Sequence, residues 1–212
     1  RIQFARLPAA AAAPDWLEGR RCMVAGLGPV GLLAAMVLVL RGADVHGLDI
    51  VDDASARPAW LRAIGGTYID GRQLAPERIA DAVGPMEFLV EAAGAPELAF
   101  DLIEALGRNG IYILIGIPAG HCVASLPARD LVLENQVLIG IVNAARGHFR
   151  MAVDDLVHAH DRWPGHLERL ITHRYAPADA ATALHGHPED EIKAVVEWGH
   201  AGGDRGRDHG TG

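Results

Sequence analysis

The chain has 212 residues, half of them hydrophobic, and a formal net charge of −8 at pH 7. That length suits one domain with room for an appendage, and the negative balance argues against nucleic acid or an anionic membrane surface as partner. Its two cysteines, Cys22 and Cys122, provide neither a disulfide framework nor metal-ligand spacing, so a reducing, cytoplasmic setting is the simplest expectation.

The chain opens at Arg1 and not at Met, which suggests a fragment or a processed product. Residues 1–20 lack the charged start and long apolar core of a secretory signal. Ala9–Ala13 followed by Pro14 reads as a helix end and a linker. Arg21–Ala25 is then a first strand and Val30–Arg41 a helix crossing to a second strand, Ala43–Leu48. Cys22–Leu40 carries no charge over nineteen residues and is long enough to count as a membrane-span candidate. Its glycines and Pro29 lie in the first half, and strand–helix alternation continues beyond it, so a buried strand plus helix is the better reading.

The junction between that strand and helix is the most informative stretch. Met23–Gly31 reads MVAGLGPVG, with Gly26, Gly28 and Gly31 spaced as G-x-G-x-x-G, and Asp49 follows eighteen residues after Gly31 at the end of the second strand. This is the dinucleotide-binding fingerprint with its acidic companion. Gly26 permits the tight turn, Gly28 lets backbone amides approach a pyrophosphate, and Gly31 brings the helix close to the sheet. Pro29 fits a first helical position, where its missing N–H costs nothing.

Further along, Ser55 is placed to cap a helix through Ile64, stopped by Gly65-Gly66. Thr67–Ile69 is a short strand, Pro76 opens a helix ending near Gly84, and Glu87–Glu91 is an apolar strand between acids. Pro96–Leu106 has amphipathic helical spacing, Gly107–Gly110 breaks it, and Ile111–Ile117 is a continuous apolar strand. A short helix ends over Leu131–Glu134 before the strand Val137–Val142. Continuous apolar strands separated by helices predict an α/β fold, a doubly wound parallel sheet of the Rossmann type covered on both faces. After Asn143 the texture changes. Phe149–His160 is helical, Ile171–Tyr175 strand-like, Ala178–Leu184 helical, and Ile192–Trp198 alternates like a strand. Residues 201–212 hold no apolar side chain beyond Ala201 and are expected to form a disordered tail.

Longer strings narrow the reading. GLGPVGLL (26–33), VEAAGAPELAFDLIEALGRNGIYILIGIP (90–118), IGIVNAARGHFRMAVDDL (139–156), HLERLITHRY (166–175) and EIKAVVEW (191–198) are distributed from Gly26 to Trp198. The chain resembles the C-terminal, cofactor-binding region of the zinc-dependent glucose dehydrogenases, in the medium-chain dehydrogenase/reductase superfamily. The resemblance implies an oxidoreductase that takes hydride from the anomeric carbon of an aldose and delivers it to nicotinamide. Zinc in an N-terminal domain would polarise the sugar hydroxyl as a Lewis acid, and that domain is expected to be absent from this chain. It further implies a division into a linker over 1–20, a dinucleotide domain over 21–165, and a segment over 166–200 that returns to the catalytic domain.

By the same resemblance, Gly26, Leu27, Gly28, Pro29, Val30 and Gly31 would cradle the pyrophosphate. Asp49 and Ile50 would meet the adenosine ribose. Ile115, Gly116 and Ile117 would border the nicotinamide and its ribose together with Ile141, Val142 and Asn143, and Asn143 would also reach the sugar. No residue of the chain is assigned a catalytic role or a metal. Relatives that use NADP often carry Asn-Arg-Arg at the end of the second strand, where this chain has Asp49-Ile50-Val51. A carboxylate accepts hydrogen bonds from ribose hydroxyls but repels a phosphate dianion, and Asp52 and Asp53 add to that repulsion. Arg57 is the nearby cation. NAD is favoured, with NADP the alternative.

Other residues carry weaker signals. His158 and His160, like His185 and His187, are two apart and would point to different helix faces, which suits solvated histidines better than a metal pair. His148 is open to two roles, facing the substrate cleft or taking a surface or packing position at its helix N-terminus. Glu91 lies either beside the cofactor or at a strand end facing solvent. Asp154-Asp155 reads as a solvated helix face. Three functions remain: the cofactor half of an aldose dehydrogenase, a stand-alone NAD(H)-binding module without catalysis, and another Rossmann-type enzyme such as a methyltransferase. The strings beyond the first strand–helix–strand unit weigh against the third. A dimer or tetramer is expected, with a small sugar as substrate.

Overall fold

The computed structural model describes residues 16–118, 125–186, 188 and 190–198. The expectations for Ala9–Pro14, Cys122, His187 and 201–212 lie outside these residues. Strand β1 (Arg21–Ala25) leads through α1 (Pro29–Leu40) to β2 (Asp44–Asp49), and α2 (Ala56–Ala63) leads to β3 (Thr67–Asp70). A 3-10 turn, Pro76–Arg78, runs into α3 (Ile79–Val83) and then β4 (Met86–Glu91). Helix α4 (Pro96–Asp101) tightens to 3-10 geometry over Leu102–Ala105 before β5 (Leu106–Leu114), and α5 (Ala128–Leu133) precedes β6 (Val137–Gly140).

These six strands form one parallel sheet in the order β3-β2-β1-β4-β5-β6. That is the doubly wound order, and it reverses between β1 and β4. The apolar strands explain it. Along β1, Cys22 and Val24 join one core cluster while Met23 and Ala25 join the other, so both faces of the strand are covered. Helix α1 buries Leu32, Ala35, Met36, Leu38 and Val39, which is why it carries no charge. The Cys22 thiol is fully buried, and burial, reinforced by Glu87 and Asp44, pushes its pKa up to about 12. It packs as a small apolar residue.

Two differences from the sequence pattern matter. The strand expected from Ile111 begins at Leu106, which pairs with Met86, and the ladder then resumes at Phe88 and Ile111. Gly107–Gly110 is therefore a bulge inside β5 and not a break before it, with Asn109 in the left-handed region at φ 59°. Strands β5 and β6 also end early, at Leu114 and Gly140. Beyond β5 the Ile115 and Gly116 N–H groups both donate to the Glu91 carbonyl at 2.9 Å, which draws the chain out of the ladder.

The last part of the chain adds α6 (Arg146–Arg162), β7 (Ile171–Tyr175), α7 (Ala180–His185) and β8 (Lys193–Val196). Arg41, at the C-cap of α1, clamps Asp155 of α6 at 3.0 and 3.1 Å, so this acid ties α6 to the end of α1 and is not merely solvated. Strands β7 and β8 pair in parallel as a separate two-stranded sheet. They lean on α2. Trp60 stacks on His166 with centroids 4.5 Å apart, and its Nε1–H donates to the His166 carbonyl at 3.0 Å. Ile192, 4% exposed, belongs to the same core cluster as Trp60 and Leu61. Among the described residues no helix is long and apolar enough to cross a membrane.

Candidate dinucleotide site

The site lies at the carboxyl end of the sheet, where β1 and β4 part. The three fingerprint glycines do three different things. Gly26 takes φ +88°, and a Cβ there would sit 2.6 Å from the Ala93 nitrogen of the β4 turn. A Cβ on Gly31 would fall 1.8 Å from the Gly26 carbonyl, so α1 reaches the turn only because no side chain intervenes. At Gly28 nothing lies within 4 Å of that position. This open space at the N-terminus of α1, with Pro29 first in the helix, is a cradle in front of unpaired amides and the positive end of the helix dipole. It fits a pyrophosphate.

Asp49 closes one side of that cradle. Its Oδ2 accepts the Leu27 N–H and its Oδ1 the Ile50 N–H, both at 2.7 Å. Leu27 therefore spends its N–H on Asp49, and its side chain is fully buried in the core. That leaves the amides of Gly28 onward for a ligand. The Tyr68 hydroxyl donates to the Asp49 and Val51 carbonyls at 3.0 and 2.7 Å, and burial, with Asp70 and Asp49 nearby, raises its pKa to about 12. It stays a donor and pins the chain after β2. Asp70 at the end of β3 is held down near pKa 2 by its hydrogen bonds to Arg72.

A cleft of about 710 Å³ extends from the cradle along this edge, bounded by Gly26, Gly28, Asp49, Ile50, Leu74, Pro76, Ala92 and Leu98. That volume falls within the range of small-molecule and cofactor sites. Its walls are mostly apolar with Asp49 and Arg57 as charged groups, which suits an adenine slot with a polar ribose corner.

Glu91 does not face solvent. It is 1% exposed, and its Oε1 accepts the Ala93 and Gly94 N–H groups at 2.7 Å. A Cβ on Gly116 would meet its Oε2 at 2.4 Å and the Gly94 nitrogen at 2.3 Å. Glu91 thus folds the β4 turn against the β5 turn from a buried position. It was the residue least readable from sequence, since its partners are backbone amides. His148 is exposed and makes a capping contact, its Nδ1 accepting the Ala145 N–H at 3.1 Å at the start of α6.

Gly26, Gly28, Asp49 and Ile50 share the cleft. Pro29 and Val30 stand at its helix end, with Val30 60% exposed. The second set lies further along the same sheet edge. Ile115–Ile117 follows β5 and Ile141–Asn143 follows β6, joined by the Ile141 N–H donating to the Leu114 carbonyl at 2.9 Å. Ile117 and Val142 are open to solvent, and Asn143 takes a left-handed φ of 67°. Among the described residues no group of three or more His, Cys, Asp or Glu side chains is placed to hold a metal ion. Zinc does not fit the residues described.

Sheet order, glycine turn and open helix end define an α/β domain of the dinucleotide-binding type. Residues 5–198 match the family model described as glucose dehydrogenase C-terminus, and the chain belongs to that family. It is 35% identical over 184 residues to a glucose 1-dehydrogenase of Methanocella arvoryzae, covering 85% of this chain and 51% of that one. A glucose 1-dehydrogenase of Thermoproteus tenax is also 35% identical, over 84% of this chain and 50% of its own. Among solved structures, a Haloferax mediterranei glucose dehydrogenase in complex with NADP, Zn and gluconolactone superposes with a TM-score of 0.77 at 28% identity. It is covered over 57% of its length, against 94% of this chain. The chain therefore spans about half the length of the relatives it matches.

Proposed function

We propose that this chain is the cofactor-binding part of an NAD(P)-dependent aldose 1-dehydrogenase acting on glucose or a similar sugar. The observation that carries this reading is the open cradle at Gly28, set at a helix N-terminus beside Asp49, in a chain of the glucose dehydrogenase family. Gly28, Val30 and Gly31 hold the pyrophosphate through their amides, and Asp49 with Ile50 receives the adenosine ribose. Ile115, Gly116 and Ile117 and Ile141, Val142 and Asn143 border the nicotinamide end, where Asn143 also contacts the sugar. The bound dinucleotide supplies the hydride-accepting ring, and the chain's own contribution is to bind and orient it. Zinc belongs to a catalytic domain toward which residues 166–200 return, with 1–20 as linker and 21–165 as the nucleotide domain. The whole protein is expected to be cytoplasmic and to associate as a dimer or tetramer.

Because Asp49 offers acceptors to ribose hydroxyls and repels a phosphate, NADH should bind more tightly than NADPH. Cofactor fluorescence titrations with both test this, and tighter NADPH binding would show that Asp49 does not read the ribose. Asp49→Asn combined with Ile50→Arg should move the preference toward NADPH. A stand-alone NAD(H)-binding module without catalysis is the second reading, favoured only by the lack of a metal donor set among the described residues.

A further inference from the structure

The corner of the cleft beyond β2 is less negative than its aspartates suggest. Asp53 is paired with Arg62, and Asp70 with Arg72 at 2.7 Å. Both arginines are committed to carboxylates at the surface, Arg72 through Nε and Nη2 together. Arg57 is held differently. Its Nε and Nη2 fork onto a neutral acceptor, the Glu191 carbonyl just before β8, at 3.3 and 2.9 Å. Its Nη1 points to Asp49 Oδ2 at 3.5 Å, a loose ion pair and not a close hydrogen bond. Arg57 also lines the cleft and keeps 26% of its side chain exposed.

A guanidinium anchored on one edge by a carbonyl and loosely paired on the other retains donors for a further anion. Asp49 in turn already gives each oxygen to a backbone N–H, so a phosphate near it meets a partly satisfied carboxylate with a cation alongside. Building on the dinucleotide reading above, we infer that Arg57 is a specificity-determining residue, through which the ribose corner tolerates a 2′-phosphate. The Glu191 carbonyl, from the segment 134 positions further along the chain, holds that arginine at the cleft. Discrimination between the two cofactors is then a balance. Asp49 favours the free 2′-hydroxyl, and Arg57 offsets the penalty of the phosphate. Positions 50 and 51, directly after Asp49, are the apolar Ile50 and Val51, so the positive charge at this corner arrives from α2.

The test uses the full chain and measures Kd for NADH and NADPH in the wild type, Arg57→Gln and Arg57→Lys. Adenosine 2′,5′-bisphosphate and adenosine 5′-monophosphate serve as competitors. The ratio Kd(NADPH)/Kd(NADH) should rise at least about tenfold in Arg57→Gln and less in Arg57→Lys, which keeps the charge without the fork. The bisphosphate should lose more affinity than the monophosphate. Should Arg57→Gln fail to fold, the ratio in Arg57→Lys decides. An unaltered ratio, with both affinities falling together, would mean that Arg57 only tethers the C-terminal segment, and the inference would be overturned while the dinucleotide reading stood. Wild-type chain that binds none of the four nucleotides would overturn both.

Discussion

Adding one methyl group at Gly26, Gly28 or Gly31 should have different consequences, because the three glycines face different neighbours. Gly26→Ala meets a positive φ and the backbone of Ala93, and Gly31→Ala meets the Gly26 carbonyl. Neither neighbour is a flexible side-chain end, so each change should cost about 1–3 kcal/mol of stability or more. Gly28→Ala meets nothing within 4 Å and a φ of −66°, which an L residue adopts freely. Its stability should stay within about 0.5 kcal/mol of the wild type, while NADH affinity falls at least about tenfold because the methyl occupies the pyrophosphate approach. Urea unfolding and NADH titration of the three variants read both effects. Full NADH affinity in Gly28→Ala would place the ligand elsewhere. These glycines and Asp49 were legible in the sequence because their geometry is set within one strand–turn–helix–strand unit. Arg57 was visible only as a nearby cation, since the Glu191 carbonyl that aims it is distant in sequence and carries no residue-type signal. Glu91 likewise binds main-chain amides, which no spacing rule encodes.

At the scale of elements, the sheet was readable from apolar runs and the ends of its strands were not. Ile115–Ile117 and Ile141–Val142 are as apolar as the strands they follow, yet the Glu91 carbonyl draws the first stretch out of the ladder. The pairing of β7 with β8 matched no local pattern, although Ile171–Tyr175 itself did. Their docking on α2 turns on His166, 7% exposed, whose Nε2 lies 3.0 Å from the Trp60 carbonyl. A carbonyl can only accept, so Nε2 carries the proton and the neutral ring satisfies the contact. Burial, assisted by Arg169, lowers the His166 pKa below its usual 6.5, against the opposing effect of the Trp60 carbonyl. The unfolded chain then binds a proton that the folded chain refuses. The contribution is fully present above the ordinary imidazole pKa and is lost as pH falls through it toward the depressed folded value, at up to about 1.4 kcal/mol per pH unit. Urea unfolding at pH 7.5 and about 5.5 should show this loss, and His166→Gln should reduce it. Equal pH slopes in the two proteins would mean that His166 titrates alike folded and unfolded. Hydrogen exchange gives the companion measurement. Amides of β7 and β8, a two-stranded pair outside the main sheet, should exchange before those of β1 and β4.

At the scale of the molecule, binding and turnover separate along the carboxyl edge of the sheet. On the proposed reading the adenosine half lies in the cleft lined by Asp49, Leu74, Pro76 and Leu98. The end after β5 and β6, proposed for the nicotinamide, is bare, with Ile117 79% and Val142 71% exposed. Apolar side chains grouped at such an edge expect a covering surface. Aldose oxidation needs the sugar's C1–H held over the nicotinamide, water kept away, and a group that polarises or deprotonates the hydroxyl. Asn143 is the polar side chain assigned to that end, and it neither polarises a hydroxyl strongly nor takes a proton. The 212-residue chain alone should therefore bind NADH yet give no glucose-dependent reduction of NAD or NADP. The absorbance of reduced nicotinamide, followed with NAD and with NADP over a range of glucose concentrations, checks this. Glucose-dependent turnover that co-purifies with the chain and survives a chelator would show that this half carries its own catalytic groups, and the assignment of chemistry to a separate zinc-bearing domain would fall.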